Sequence, residues 1–222
     1  MSKSQVNISS LLNNQDITPN AINYHVGENH LSAASNDMLV VIDSAVDDYS
    51  LLVSGVRQGA HVVVLEKNHN GVAQISAALE AYGAIESLHI VCHGSPGCLY
   101  LGNSQLSLKT LTHYADQIAS WSKRLSGNEL LLYGCRVAAG DAGEEFVDKI
   151  HRLTQATVAA SANPVGEARQ GGTWQLASFF GGIKNAQAFL PETQQIYAGI
   201  FTEVLSKSVD EYDESLLIHC LP

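Results

Sequence analysis

The sequence predicts an α/β fold for this chain of 222 residues, with helical layers on both faces of a mostly parallel central sheet of about six strands. Three observations predict it. Short continuous apolar runs alternate with helix-patterned segments, as in sheets whose strands are buried on both faces. Hydrophobic residues make up 45% of the chain and charged residues 15%, which suits one domain with a sizeable core. Two apolar runs end in chemically competent pairs, His93-Gly94 and Gly134-Cys135, at strand ends of the kind where parallel sheets bind ligands.

Taken in order, residues 1–36 are polar, lack periodic apolar positions, and read as a flexible arm or pro-segment. The run 38–43 is the first strand. Val46, Tyr49, Leu52, Val53 and Val56 then recur at helical spacing, with Ser44 as a cap and Gly59 as the stop. The second strand covers 61–65, and a helix over 70–82 buries Val72, Ile75, Ala78 and Leu79 before Gly83 ends it. The third strand covers 88–92. Turns at Pro96-Gly97 and Gly102-Asn103 flank 98–101 and predict a small hairpin. A long helix is expected over 108–125, a fourth strand over 129–133, and a helix over 141–153 that faces the core with Phe146, Val147, Ile150 and Leu153. The fifth strand covers 157–160, a loop follows over 163–172, and the alternating run 173–177 is the sixth strand. A last helix is expected over 192–205. The domain thus covers 37–205, and 206–222 is an acidic tail.

The formal net charge of −10 excludes a nucleic-acid partner, because no basic stripe exists to neutralise phosphates. No apolar run reaches membrane-spanning length. Residues 1–20 lack the apolar segment of a secretory signal, which predicts a cytoplasmic location and leaves export by a non-Sec route open. The four cysteines show no Cys-x-x-Cys spacing, so neither a disulfide framework nor a thiolate metal site is expected. His89 and His93 lie roughly 13 Å apart along a strand, too far for one ion to bridge. His61, His69, His113 and His151 show no ligand spacing. No metal and no cofactor are predicted.

Cys135 is the candidate nucleophile. Thiolate is the attacking form, and an imidazole or a helix N-terminus favours it. A lone strand-end cysteine is as often a packing residue, and a lone strand-end histidine more often serves a loop carbonyl. The two together, at the ends of neighbouring strands, favour catalysis, with His93 as the base. The backbone N–H groups of Gly94 and Cys135 are candidate oxyanion-hole donors, a role that needs no side chain. Asp43 sits at the tip of the first strand, where its carboxylate either binds a basic substrate side chain or orients His93. Asp47 and Asp48 read as helix-terminal charges. Cys92 points to the opposite face from His93 and is expected to be packed. No Gly-x-Ser-x-Gly elbow and no complete phosphate loop is present.

The runs 39–44, His93-Gly94-Ser95-Pro96-Gly97 and Leu132-Tyr133-Gly134-Cys135, in this order, resemble the caspase-like (caspase-hemoglobinase, clan CD) superfamily of cysteine peptidases. Caspases, legumains, gingipains, separases and CHAT domains belong to it. More closely, they look like an uncharacterised bacterial domain of that superfamily that often sits near the start of very large repeat-containing surface proteins. The resemblance covers about residues 38–178. It implies a caspase-like three-layer αβα sandwich, His93 as base, Cys135 as nucleophile, an oxyanion hole at Gly94 and Cys135, and a protein or peptide substrate. It also implies an acidic residue after the first strand, matched by Asp43, in relatives that prefer Arg or Lys before the scissile bond. Two positions depart from the close family's pattern: Cys92 replaces Ser before His-Gly, and Arg136 replaces Asp after Gly-Cys. A cation at Arg136 would instead select an acidic side chain, and would also stabilise a Cys135 thiolate. The expectation is therefore a self-processing cysteine endopeptidase with a His-Cys dyad. Its rivals are a catalytically silent interaction or regulatory module and a thiol-dependent acyl-transfer enzyme.

Overall fold

The computed structural model describes residues 24–25, 37–184 and 187–201. In chain order the elements are β1 (Tyr24–His25), β2 (Met38–Asp43), α1 (Tyr49–Ser54), β3 (His61–Leu65), α2 (Gly71–Tyr82) and β4 (Ile85–Val91). A small antiparallel sheet follows, made of β5 (Gly94–Ser95), β6 (Cys98–Leu101) and β7 (Ser104–Ser107). The remaining elements are α3 (Ala115–Trp121), β8 (Leu125–Tyr133), α4 (Gly140–Thr154), β9 (Thr157–Ala160), β10 (Ala177–Phe179) and α5 (Pro191–Ile196).

The main sheet has the order β1-β3-β2-β4-β8-β9-β10. Its five central strands run parallel, and the two edge strands are antiparallel to their neighbours. The apolar runs form the centre because each strand there is covered on both faces, and β2 is buried at every position. The chain moves outward from β2 to β3 and then returns to the other side of β2 at β4. That reversal opens a crevice at the carboxyl ends of β2 and β4. Ile42 lies opposite Val91, and Val91 opposite Tyr133, so the ends of β2, β4 and β8 are level.

One face of the sheet packs Leu39, Val41, Ile90, Leu130 and Leu132 beneath α2, α3 and α4. Phe146, Val147 and Ile150 seat α4 there, each worth roughly 1.5–3 kcal/mol when fully buried. The other face packs Val40, Ile42, Val91, Leu131 and Tyr133 with Leu52 of α1 and with Val165, Phe189, Tyr197 and Phe201. Much of that second layer is irregular chain rather than helix.

The sequence misplaced several boundaries. Tyr24–His25, within the expected arm, pairs with Val62 and Val63; the rest of 1–36 and the tail 206–222 lie outside the described residues. The helix expected over 108–125 is helical only from Ala115. The Thr110 hydroxyl accepts from the Ser107 N–H and donates to the Gln105 carbonyl, diverting the backbone into turns. The last edge strand is Ala177–Phe179, while Thr173 bridges Val165. The final helix stops at Ile196, and Tyr197 is already extended (φ −69°, ψ 122°). Its hydroxyl donates to the Asp47 carbonyl at 2.9 Å, and its ring meets those of Trp174 and Phe201. Tertiary anchoring of one side chain overrides the local helical pattern; residues 202–205 lie outside the described set.

Within β4, His89 is fully buried between Ser87 Oγ (3.0 Å) and Tyr133 Oη (3.3 Å). Tyr133 Oη also accepts from the Ala188 N–H at 3.2 Å, so both His89 ring nitrogens are tied into a buried hydrogen-bonded group. Burial pushes the His89 pKa down to about 3. Below pH ~6.5 the unfolded chain takes a proton here that the native state refuses, so this stabilisation is complete above pH ~6.5 and declines as pH falls toward 3. Urea unfolding should therefore show roughly 2–3 kcal/mol lost between pH 7 and 4.5 on this account. His89→Gln should lose much less over the same interval; an equal loss in both proteins would contradict it.

Candidate active site

The level ends of β4 and β8 carry the chain into Cys92-His93-Gly94 and Gly134-Cys135-Arg136. The two turns pack backbone against backbone. A Cβ on Gly94 would lie 3.0 Å from Gly134 Cα and 3.1 Å from the Cys135 nitrogen. A Cβ on Gly134 would lie 2.8 Å from Val137 Cγ2. Glycine at both positions lets the Gly94 and Cys135 amides converge, and both donate to the Phe201 carbonyl oxygen at 3.2 Å.

His93 is 6% exposed, with Nε2 3.1 Å from the Ala45 carbonyl oxygen. A carbonyl only accepts, so the neutral ring carries its proton on Nε2 and a lone pair on Nδ1. Nδ1 is buried and makes no hydrogen bond. Leaving such an atom unpaired costs about 1–3 kcal/mol.

Asp43 reaches the same rim, as its place at the tip of β2 predicts. Its Oδ1 accepts from the Ala45 N–H at 2.8 Å and its Oδ2 from the Gly102 N–H at 2.6 Å. Burial raises its pKa, opposed by those two amides and by nearby His93. Both oxygens thus brace backbone: one fixes the turn that presents the Ala45 carbonyl to His93, and the other ties down the β6–β7 turn. The link from Asp43 to His93 runs through Ala45.

Cys135 is 2% exposed. Its Sγ accepts from the Val165 N–H at 3.1 Å and lies 3.6 Å from the Val165 carbonyl oxygen. Burial pushes its pKa up to about 11, against the opposing pull of the Val165 N–H, the Arg136 charge and the Phe201 N–H. Only on the order of one thiol in ten thousand is ionised at neutral pH. No hydrogen bond joins His93 to Cys135 directly. Arg136 is exposed, with a left-handed backbone (φ 58°) and its N–H on the Asn163 carbonyl. Cys92 turns to the opposite core, where burial pushes its thiol pKa well up.

Sequence reasoning missed Ala45, Val165 and Phe201. The first two act through backbone atoms and leave no residue signature. Phe201 lay inside an expected helix, and an aromatic four residues after Tyr197 reads as a helical core pair rather than as an extended strap.

These features define an α/β domain with a histidine and a cysteine at one rim of a parallel sheet. Residues 39–201 match the family described as Domain of unknown function (DUF4347), and the chain belongs to that family. No curated protein and no solved structure matches it. Among the described residues, no helix is long and apolar enough to cross a membrane, and no group of three or more His, Cys, Asp or Glu gathers as a metal site.

Gly94→Ala tests the backbone approach. The added methyl should push the two turns apart, lowering stability by about 1–3 kcal/mol. It should also raise the hydrogen-exchange rate of the Cys135 amide. Wild-type exchange in a folded variant would contradict the packing described.

Proposed function

We propose that the chain is a caspase-like cysteine endopeptidase in which His93 is the base and Cys135 the nucleophile. The observation that supports this most is the convergence of the Gly94 and Cys135 amides on one carbonyl oxygen, since the second donor belongs to the residue that carries the thiol. Paired donors of this kind stabilise the charge that grows on a carbonyl oxygen under attack.

In this reading the substrate carbonyl takes the place between the two amides. The resting thiol is neutral, so proton removal accompanies attack rather than preceding it. His93 Nδ1 takes the thiol proton, and the Ala45 carbonyl holds the ring and favours the imidazolium that forms. His93 then protonates the leaving amine, and water hydrolyses the thioester. Arg136 assists by favouring the anionic sulfur. Asp43 serves as a brace rather than as a pocket for Arg or Lys, because it is buried and each of its oxygens accepts from a backbone amide. The substrate is a protein or peptide.

A second reading is a silent interaction module. The deep burial of Cys135 and the occupied amide pair favour it. Turnover of a peptide library, with labelling by an acylating probe, separates the two. Peptidase chemistry predicts turnover that Cys135→Ala abolishes and His93→Ala lowers by about 10²–10⁴. It also predicts that the probe prefers Cys135 to Cys92. No turnover together with equal labelling of the two thiols would leave the silent module.

A further inference from the structure

The occupant of the amide pair is the chain's own backbone. Residues 199–201 lie antiparallel to 165–167: the Phe201 N–H donates to the Val165 carbonyl at 3.0 Å, the Glu167 N–H to the Gly199 carbonyl at 2.9 Å, and Ile200 bridges Gly166. An extended peptide docked as an added strand is how many proteins hold substrate chains. Gly166 allows the approach: with φ +126°, a Cβ there would fall 2.3 Å from the Gly199 oxygen. The Phe201 ring is fully buried against Trp174 (centroids 5.6 Å apart, 85°), Tyr197 and the Val165 cluster. Ala198 is exposed, and the strap passes inward from the surface to the site.

Resting on the peptidase reading, we infer that the Phe201–Thr202 bond is a self-cleavage site, seated in the chain's own active site with the Phe201 ring in an aromatic pocket that selects a large apolar residue. The sulfur of Cys135 bonds to the Phe201 carbonyl carbon, and His93 receives the thiol proton. The tetrahedral oxyanion rests on the Gly94 and Cys135 amides. As the carbon–nitrogen bond breaks, His93 gives its proton to the nitrogen of Thr202, which leaves as a new N-terminus. Water then adds to the thioester with His93 taking its proton. The products are a Phe201 carboxylate, a regenerated thiol and the separated segment 202–222. Tethering makes the first step intramolecular, so positioning replaces the entropy cost of an encounter. The preference differs from the Arg or Lys expected when Asp43 lines the pocket, because the side chain seated before the bond is aromatic and Trp174 faces it.

The full chain, purified with reductant at neutral pH, is followed by intact mass beside Cys135→Ala. The expected result is loss of 202–222 by a single cut after Phe201, at a rate independent of protein concentration, with the Cys135→Ala chain intact. Phe201→Asp should slow the cut at least tenfold. Thr202→Pro, which turns the leaving amide tertiary, should block it even where Phe201→Asp fails to fold. A fluorogenic peptide with the sequence of 197–201 before the scissile bond should turn over at least tenfold faster than versions ending in Arg or Asp. The inference is overturned, and the peptidase reading kept, if Cys135 labels and turns over peptides while the full chain stays whole or is cut elsewhere. The same holds if Arg or Asp peptides are preferred. If no peptide turns over and Cys135 labels no faster than Cys92, both fall together.

Discussion

Two backbone N–H groups converging on one carbonyl oxygen set the terms for the rest of this structure. Their approach requires the ends of β4 and β8 to be level, which the parallel register of Val91 with Tyr133 supplies. It requires glycine at 94, where a Cβ would crowd the facing Gly134-Cys135 backbone, and at 134, where a Cβ would collide with the Val137 side chain. It also requires the turn after β2 to stand where it can hold His93, and there the buried Asp43 acts through its two amide partners. These residues come from the ends of three different strands. They are tied together because backbone donors can be aimed only by positioning whole strands.

The same arrangement keeps the thiol quiet. A buried sulfur strongly disfavours its own ionisation, and here burial outweighs two N–H groups and a nearby guanidinium. A cysteine so placed is shielded from solvent thiols and oxidants and is a poor nucleophile until a base removes its proton. His93 has one nitrogen committed to the Ala45 carbonyl and the other buried without a partner. On the proposed peptidase reading, His93 is a base in the required tautomer and Cys135 a thiol that is not yet ionised. Chemistry in which the proton moves with the attack fits that combination better than a preformed ion pair.

The centre of the fold was legible because its strands are buried on both faces and read as unbroken apolar runs. Met38–Asp43, His61–Leu65 and Thr157–Ala160 fall where the runs do. The His-Gly and Gly-Cys pairs were legible for a related reason: a glycine beside a reactive side chain at a strand end marks close backbone approach. The covering layer opposite the three helices was not legible. It is held by the rings of Trp174, Phe189, Tyr197 and Phe201, whose contacts span up to 27 positions of chain from Trp174 to Phe201 and follow no helical or strand period. The expected helix over 192–205 failed at Tyr197, where a hydroxyl reaching Asp47 and a ring reaching Trp174 outweigh local propensity. Ala45 and Val165 were invisible because their contributions are a carbonyl and an N–H, which every residue possesses.

The most direct measurement is a crystal structure of the full chain as Cys135→Ala, which removes the sulfur and leaves every backbone donor in place. The account predicts residues 199–201 antiparallel to 165–167, with the Phe201 carbonyl oxygen within hydrogen-bond distance of the amides of Gly94 and residue 135. Amides that face solvent, or Phe201 packed elsewhere with its carbonyl away from them, would contradict it.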